Sequence, residues 1–158
     1  MSQQVDGPFR SFTAGAALGR FLRVKLTSGK LALAGATDRD LGTIEEAAFA
    51  DGDLRRVRLA SSDGTVKMVA AASFSAGAVL YAAANGKVTG AVGGVVVGVA
   101  LEAATADNDI IEVFRTTLNL VEAAAIADPS GGATVDSQAR TAIGSILTAL
   151  RNAGLVAT

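Results

Sequence analysis

The sequence predicts a mainly β fold: a small β-barrel or β-sandwich built from a two-fold internal repeat, followed by a C-terminal α-helix. Three observations carry that prediction: an internal duplication, closely spaced turn signals, and helical periodicity confined to the end of the chain. Residues 41–59 (LGTIEEAAFADGDLRRVRL) lie over residues 97–115 (VGVALEAATADNDIIEVFR) without a gap, at an offset of 56. Gly42/Gly98, Glu46/Glu102, Ala47/Ala103, Ala48/Ala104, Ala50/Ala106, Asp51/Asp107, Asp53/Asp109 and Val57/Val113 are identical, eight of nineteen positions. A one-residue slip upstream brings Ser28-Gly29-Lys30-Leu31 over Asn85-Gly86-Lys87-Val88. A solenoid needs at least three stacked units. Two units predict instead a duplicated strand unit folded on itself, with repeats at about 19–59 and 76–115.

Turn signals punctuate both copies. Ser61-Ser62-Asp63-Gly64 and the Asp-rich runs around 51–53 and 107–109 separate short apolar stretches, at the spacing of about 8 to 12 residues expected of an all-β domain. Asn85-Gly86 between apolar runs is a strong short-range hairpin signal. Residues 1–12 are mostly polar around Gly7-Pro8 and are expected to form a flexible arm. The β-domain then spans 13–116. Residues 19–26 alternate, with Leu22, Val24 and Leu26 on one face and Arg23 and Lys25 on the other, the period of a half-buried strand. A turn at Thr27-Ser28-Gly29 returns the chain through 30–34. Further strands are expected at 41–48, 54–59, 65–70, 78–83, 95–101 and 110–115. In 54–59, Arg55, Val57 and Leu59 share one face, and Leu54, Arg56 and Arg58 the other.

After a connector at 117–135, which includes the loop Asp128-Pro129-Ser130-Gly131-Gly132, the pattern turns helical over 136–154. Asp136 suits the N-cap and Gly154 the C′ position. Ala139, Ile143, Ile146, Leu150 and Ala153 are spaced 4-3-4-3, with Ala142 and Leu147 widening the stripe. The stripe either packs back on the β-domain or self-associates about a symmetry axis. Ile at both kinds of seam position favours three strands over two. Ala139, Ile143, Ile146, Leu147 and Leu150 are the candidate trimer or core-facing residues.

Composition removes whole classes of function. The 158 residues include no Cys and no His, which excludes disulfides, Cys/His zinc sites, His bases and Cys nucleophiles. With 14 basic and 15 acidic residues spread along the chain, there is no electrostatic footprint for nucleic acid. Residues 68–86 carry no formal charge, but Ser73, Ser75, Gly77 and Asn85 interrupt them, whereas a spanning helix needs about 20 predominantly apolar residues. Two buried strands around a turn fit better, and no membrane partner is expected.

The motifs that suggest chemistry each meet a structural alternative. Asp51/Asp53 and Asp107/Asp109 lack the spacing and the closing Glu of a calcium loop, and their recurrence at equivalent places favours turns. Gly29-Lys30 and Gly86-Lys87 miss the phosphate-loop pattern at both ends, since Val24 and Tyr81 replace its first Gly, and Leu31 and Val88 its hydroxyl. Gly93-Gly94 with Gly98 lacks the strand-loop-helix setting of a dinucleotide site, which leaves Gly in a crowded strand. Arg55, Arg56 and Arg58, with Arg20, Arg23 and Lys25, form either a solvated strand face or a contact for an acidic protein surface. No catalytic, cofactor or metal residue is assigned, and the chain is expected not to be an enzyme.

The runs Phe74-Ser75-Ala76-Gly77-Ala78-Val79-Leu80-Tyr81 and Asn85-Gly86-Lys87-Val88-Thr89, then Val97-Gly98-Val99-Ala100-Leu101-Glu102-Ala103-Ala104 and Asp109-Ile110-Ile111-Glu112-Val113, resemble a family of tailed-phage proteins. These were once labelled RecA/RadA-like phage recombinases and are now regarded as capsid decoration, or cement, proteins. The tail from Ala127 also resembles helical segments of phage head-fibre and decoration proteins. The resemblance implies a bacteriophage structural protein of the virion, assembled in the host cytoplasm and bound as a homotrimer to the outer surface of the head. There it would contact the major capsid protein and provide capsid stabilisation. The alternative is a head-fibre or host-surface adhesin base. Gln3, Gln4, Val5, Phe9, Arg10 and Phe12 are the candidate capsid contacts. The failed phosphate loop argues independently against the recombinase label.

Overall fold

The computed structural model describes residues 7–116 and 137–152. The chain divides into two compact units, Met1–Asn119 and Leu120–Thr158. Among the described residues the first unit holds ten strands: β1 (Phe9–Thr13), β2 (Arg23–Thr27), β3 (Lys30–Leu33), β4 (Gly42–Ile44), β5 (Leu54–Leu59), β6 (Thr65–Val69), β7 (Val79–Ala82), β8 (Val88–Thr89), β9 (Val96–Ala100) and β10 (Ile110–Arg115). The second holds the helix α1 (Ser137–Asn152). Asp136, Ala153, Gly154 and the connector 117–135 lie outside the described residues.

The strands form two antiparallel five-stranded sheets in the orders β1-β5-β4-β2-β3 and β6-β10-β9-β7-β8. Adding five to each strand number of the first sheet gives the second, so the duplication is complete in the topology. Of the barrel and sandwich alternatives, the two-sheet one holds, with each sheet curled over its own core. Val24, Leu31, Ile44 and Val57 centre the first core. Met68, Leu80, Val88, Val97, Ile111 and Val113 centre the second. Single parallel bridges, Ala14 to Leu31 and Ala70 to Val88, draw the first and third strands of each sheet together at one end.

The repeats begin earlier than the sequence match indicates. They start at β1 and β6, whose sequences (FRSFT and TVKMV) share only their place in the sheet. Of the flexible arm expected over 1–12, residues 1–6 lie outside the described residues and the part from Phe9 is corrected to a strand, because Phe9–Thr13 pair antiparallel with β5, from Phe9 opposite Arg58 to Thr13 opposite Leu54. Phe12 then packs against the first core, and that burial is what holds the strand in place. The strand expected over 19–26 starts only at Arg23, since Phe21 adopts a left-handed φ of 60° that breaks the extended run. The strand expected over 41–48 is limited to Gly42–Ile44, after which Ala48 makes a single bridge to Leu18.

Local chemistry explains the conserved geometry of the two halves. Ser28 and Gly29 (φ 51° and 78°) join β2 to β3, and Asn85 and Gly86 (57° and 74°) occupy the matching turn before β8. Positive φ at both central residues twists a tight turn in the sense its strands need. Gly42 and Gly98 are forced by crowding: a Cβ on Gly42 would stand 2.0 Å from the Arg58 carbonyl oxygen, and one on Gly98 2.1 Å from that of Phe114. Arg58 and Phe114 are themselves equivalent residues.

Candidate interaction surfaces

The repeated aspartates build turns. Asp53 Oδ2 accepts from the backbone N–H groups of Phe49 (2.8 Å) and Ala50 (3.3 Å). Asp109 Oδ2 accepts from those of Thr105 (2.6 Å) and Ala106 (3.0 Å) and from the Thr105 hydroxyl. These bonds favour the ionised form: the Phe49 N–H foremost holds the Asp53 carboxyl below its ordinary pKa, and the Thr105 N–H does the same for Asp109. The other member of each pair meets the Lys of the Gly-Lys dipeptide. Lys30 Nζ lies 2.7 Å from Asp51 and Lys87 Nζ 2.6 Å from Asp107. Motifs that resemble phosphate and metal sites are thus the two halves of one ion pair, made twice. Among the described residues, no three candidate metal ligands stand together, and no helix is long and apolar enough to cross a membrane.

The two repeats meet through a buried charge cluster. Arg23 is fully buried and donates from Nε to the Lys87 carbonyl (3.2 Å) and from Nη2 to those of Gly35 (3.1 Å) and Ala83 (3.0 Å). Asp40, just before β4, takes a bidentate pair from Arg115 at the end of β10, at 2.8 and 3.0 Å, and stands 4.0 Å from Arg23 Nη1. Desolvation lowers the pKa of Arg23, with Asp40 opposing and Arg115 adding to the shift. Arg23 was expected on an outward face. It is instead buried because the second repeat covers that face and supplies carbonyl acceptors. Backbone contacts continue the junction: Gly86 N–H donates to Ala34 (2.8 Å) and Val95 N–H to Ala36 (3.0 Å). A Cβ on Gly86 or Gly94 would strike the Arg23 or Ala36 carbonyl at 2.6 or 2.5 Å. The cluster has a signal in the sequence. Arg23, Asp40 and Arg115 each oppose an apolar residue, Val79, Val96 and Leu59, in the other copy.

A cleft of about 520 Å³ opens beside this junction, lined among others by Phe21, Glu45, Arg58, Lys67, Glu102 and Glu112. Its carboxylates face two cations, and the Thr65 hydroxyl is bonded to Glu112. Arg20 and Lys67 both lie over the Phe21 ring, 5.2 and 5.7 Å from its centroid.

The surface expected to carry contacts is only partly assembled. Gln3, Gln4 and Val5 lie outside the described residues. Phe9, Arg10 and Phe12 share β1, the outer strand of its sheet. Phe9 is stacked by Arg56 (4.5 Å) and Arg58 (5.5 Å), and Arg10 by contrast lies over Phe12. Leu59 N–H donates to Pro8 and Ala14 N–H to Asp53, both at 2.8 Å. That phase gives β5 the even-numbered residues and turns the backbone groups of Phe9 and Ser11 to the sheet edge, while the parallel bridge of Ala14 to Leu31 closes the strand's far end. The arginines expected on a solvated strand face divide: Arg56 is exposed, while Arg55 and Arg58 are half-buried. On α1, Ala139, Ile143 and Ile146 are exposed, Leu150 is half-buried and Leu147 is buried.

No family model matches the chain, and no curated protein matches it. A solved structure does: the head fiber gp8.5 N base of bacteriophage phi29, with a TM-score of 0.58 and 16% sequence identity. The match covers 68% of this chain and 94% of that one, a share the size of the two repeats together, and it shows that this double β unit is a fold the two proteins have in common.

Proposed function

We propose that the protein is a structural component of a tailed-phage head, bound to the outer surface of the shell as a cement protein and acting by adhesion without turnover. The observation that carries this reading is the fold shared with a phage head-fibre base over nearly all of that chain, together with the sequence resemblance to decoration proteins. The β1 edge at Phe9 and Ser11, unpaired among the described residues, supports contact by strand addition, in which main-chain hydrogen bonds give affinity and alternate side chains give specificity. Gln3, Gln4, Val5, Phe9 and Arg10 are the contact residues under this reading, and the major capsid protein is the partner. Phe12 serves the core instead. Exposed Ile143 and Ile146 on α1 support a homotrimer, and three linked copies would bind far more tightly than one.

The fold likeness also favours the second reading, the base of a head fibre. Heads lacking the protein separate the two. A cement protein added back co-sediments with them and raises the temperature at which they release DNA. A fibre base co-sediments and leaves that temperature unchanged. Absence of co-sedimentation overturns both, and unaltered binding after deletion of residues 1–8 removes the arm from the mechanism.

A further inference from the structure

The contact between the two repeats is head-to-tail. Phe21, Arg23, Asp40 and Glu45 of the first repeat face β6, Gly86, Lys87 and Arg115 of the second. Strand registers and matched hydrogen bonds fix which residues are equivalent. Arg23 opposite Thr43 corresponds to Val79 opposite Val99, and Leu59 opposite Gly42 to Arg115 opposite Gly98. Leu41 accepting from Ala60 matches Val97 accepting from Thr116, which pairs Asp40 with Val96. Glu45 and Leu101 likewise donate to Arg56 and Glu112. The first repeat therefore contributes one face to the junction and the second a different one. Among the described residues, each repeat keeps the other face unused.

The unused faces are apolar where the used ones are polar. On the second repeat Val79 and Leu101, the counterparts of Arg23 and Glu45, are each 46% exposed. Val92 is 75% exposed in the loop equivalent to the one that supplies the Ala36 carbonyl. On the first repeat Leu26, the counterpart of Ala82, is 45% exposed, and Leu59 stands half-buried in the place of Arg115. The replacements are matched in pairs. Arg115 on Asp40 becomes Leu59 with Val96, and Arg23 against the 82–87 hairpin becomes Val79 with the hairpin after Leu26.

We propose that a second copy of this chain occupies these faces, the second repeat of one copy docking on the first repeat of the next with the relation the repeats already have within a chain. A heterologous contact of this kind closes into a ring when the rotation allows. The polarity switch sets the register: docking an Arg115 face on a Val96 face would bury an unpaired guanidinium, which costs far more than it returns. The contact rests on the repeat geometry and needs no head, so it stands or falls separately from the proposed function.

Because the chain has no Cys, single cysteines report the contact cleanly. Leu26→Cys and Val79→Cys proteins are prepared separately, and each is shown to melt as the wild type does. Each is then treated with a short bis-maleimide, alone and as an equal mixture. A head-to-tail contact gives covalent dimer in the mixture, at least tenfold above either protein alone, and a ladder of higher species when both cysteines are in one chain. Monomer alone in the mixture overturns the proposal. Equal dimer from a single variant also overturns it, since that marks a two-fold contact or chance collision. Association through α1 by itself leaves the mixture without enrichment and counts against it in the same way.

Discussion

The two repeats share a skeleton and differ at their edges. Both keep a glycine pressed against a carbonyl of the neighbouring strand, an aspartate that caps its own turn, and a Lys-Asp pair across the end of the sheet. They part where one repeat meets the other. Phe21 holds a left-handed φ of 60° where the second repeat has Gly77 at 82°, a conformation that costs a bulky residue on the order of 1–3 kcal/mol. Its ring contacts Lys67 of the other repeat, which Gly77 has no side chain to imitate. Positions that maintain the fold have stayed alike in both copies, and positions that make contacts have diverged. The difference therefore points to where contacts are made.

The sharpest way to break the junction is to remove the carboxylate that its two arginines share. Asp40→Ala leaves Arg23 and Arg115 buried without that partner, with Asp38 acting on Arg23 only as a weaker influence, a loss of about 3–5 kcal/mol. Urea unfolding checks it, and Val96→Ala, at the equivalent place, is expected to cost far less. Gly42→Ala and Gly98→Ala test the shared skeleton. Each adds a Cβ at 2.0–2.1 Å from a carbonyl oxygen, and each is expected to destabilise by roughly 1–3 kcal/mol or more, with similar losses in the two repeats.

Acid should loosen both repeats together. Asp38 and Asp107, bonded foremost to Lys25 and Lys87, and Asp53 and Asp109, bonded to backbone N–H groups, all have depressed pKa values. A carboxyl whose folded pKa lies below its unfolded one, about 3.9, adds stability that is complete above that value and is lost as pH falls through the folded one. Stability should therefore fall as pH drops below about 4, and Asp53→Ala with Asp109→Ala should flatten that limb in a pH series of denaturation midpoints. The smallest effect belongs to the lysines. Lys30→Ala and Lys87→Ala remove surface ion pairs worth about 0–1 kcal/mol each. Lys87 should show the larger loss, because its side chain is 20% exposed against 47% for Lys30. Added salt should shrink both.

How much of this was legible in the sequence follows from the same division. Turns, the alternation around Val57 and the helix of 137–152 came through because their signals are local: Ser-Gly and Asn-Gly at positive φ, period two, and a 4-3-4 stripe. The strand of 65–70 came through as well, but its counterpart at Phe9–Thr13 did not, nor did the equivalence of the two. That equivalence depends on pairing with a strand more than 40 residues away, and FRSFT and TVKMV share no residue at matching positions. Arg23 was misplaced for a related reason. Period two assigns faces but cannot say that the second repeat will cover one of them and offer carbonyls to a guanidinium. The Lys-Asp pairs combined two motifs that the sequence shows only separately.

The head-surface reading is tested most directly by imaging reconstituted heads, bare shells incubated with the purified protein, by electron cryomicroscopy at a resolution that separates β sheets. The expected map has the paired five-stranded sheets seated on the outside of the shell, with β1 of the first repeat against the capsid protein. A shell surface that stays bare at saturating protein, or density confined to the interior, would contradict it.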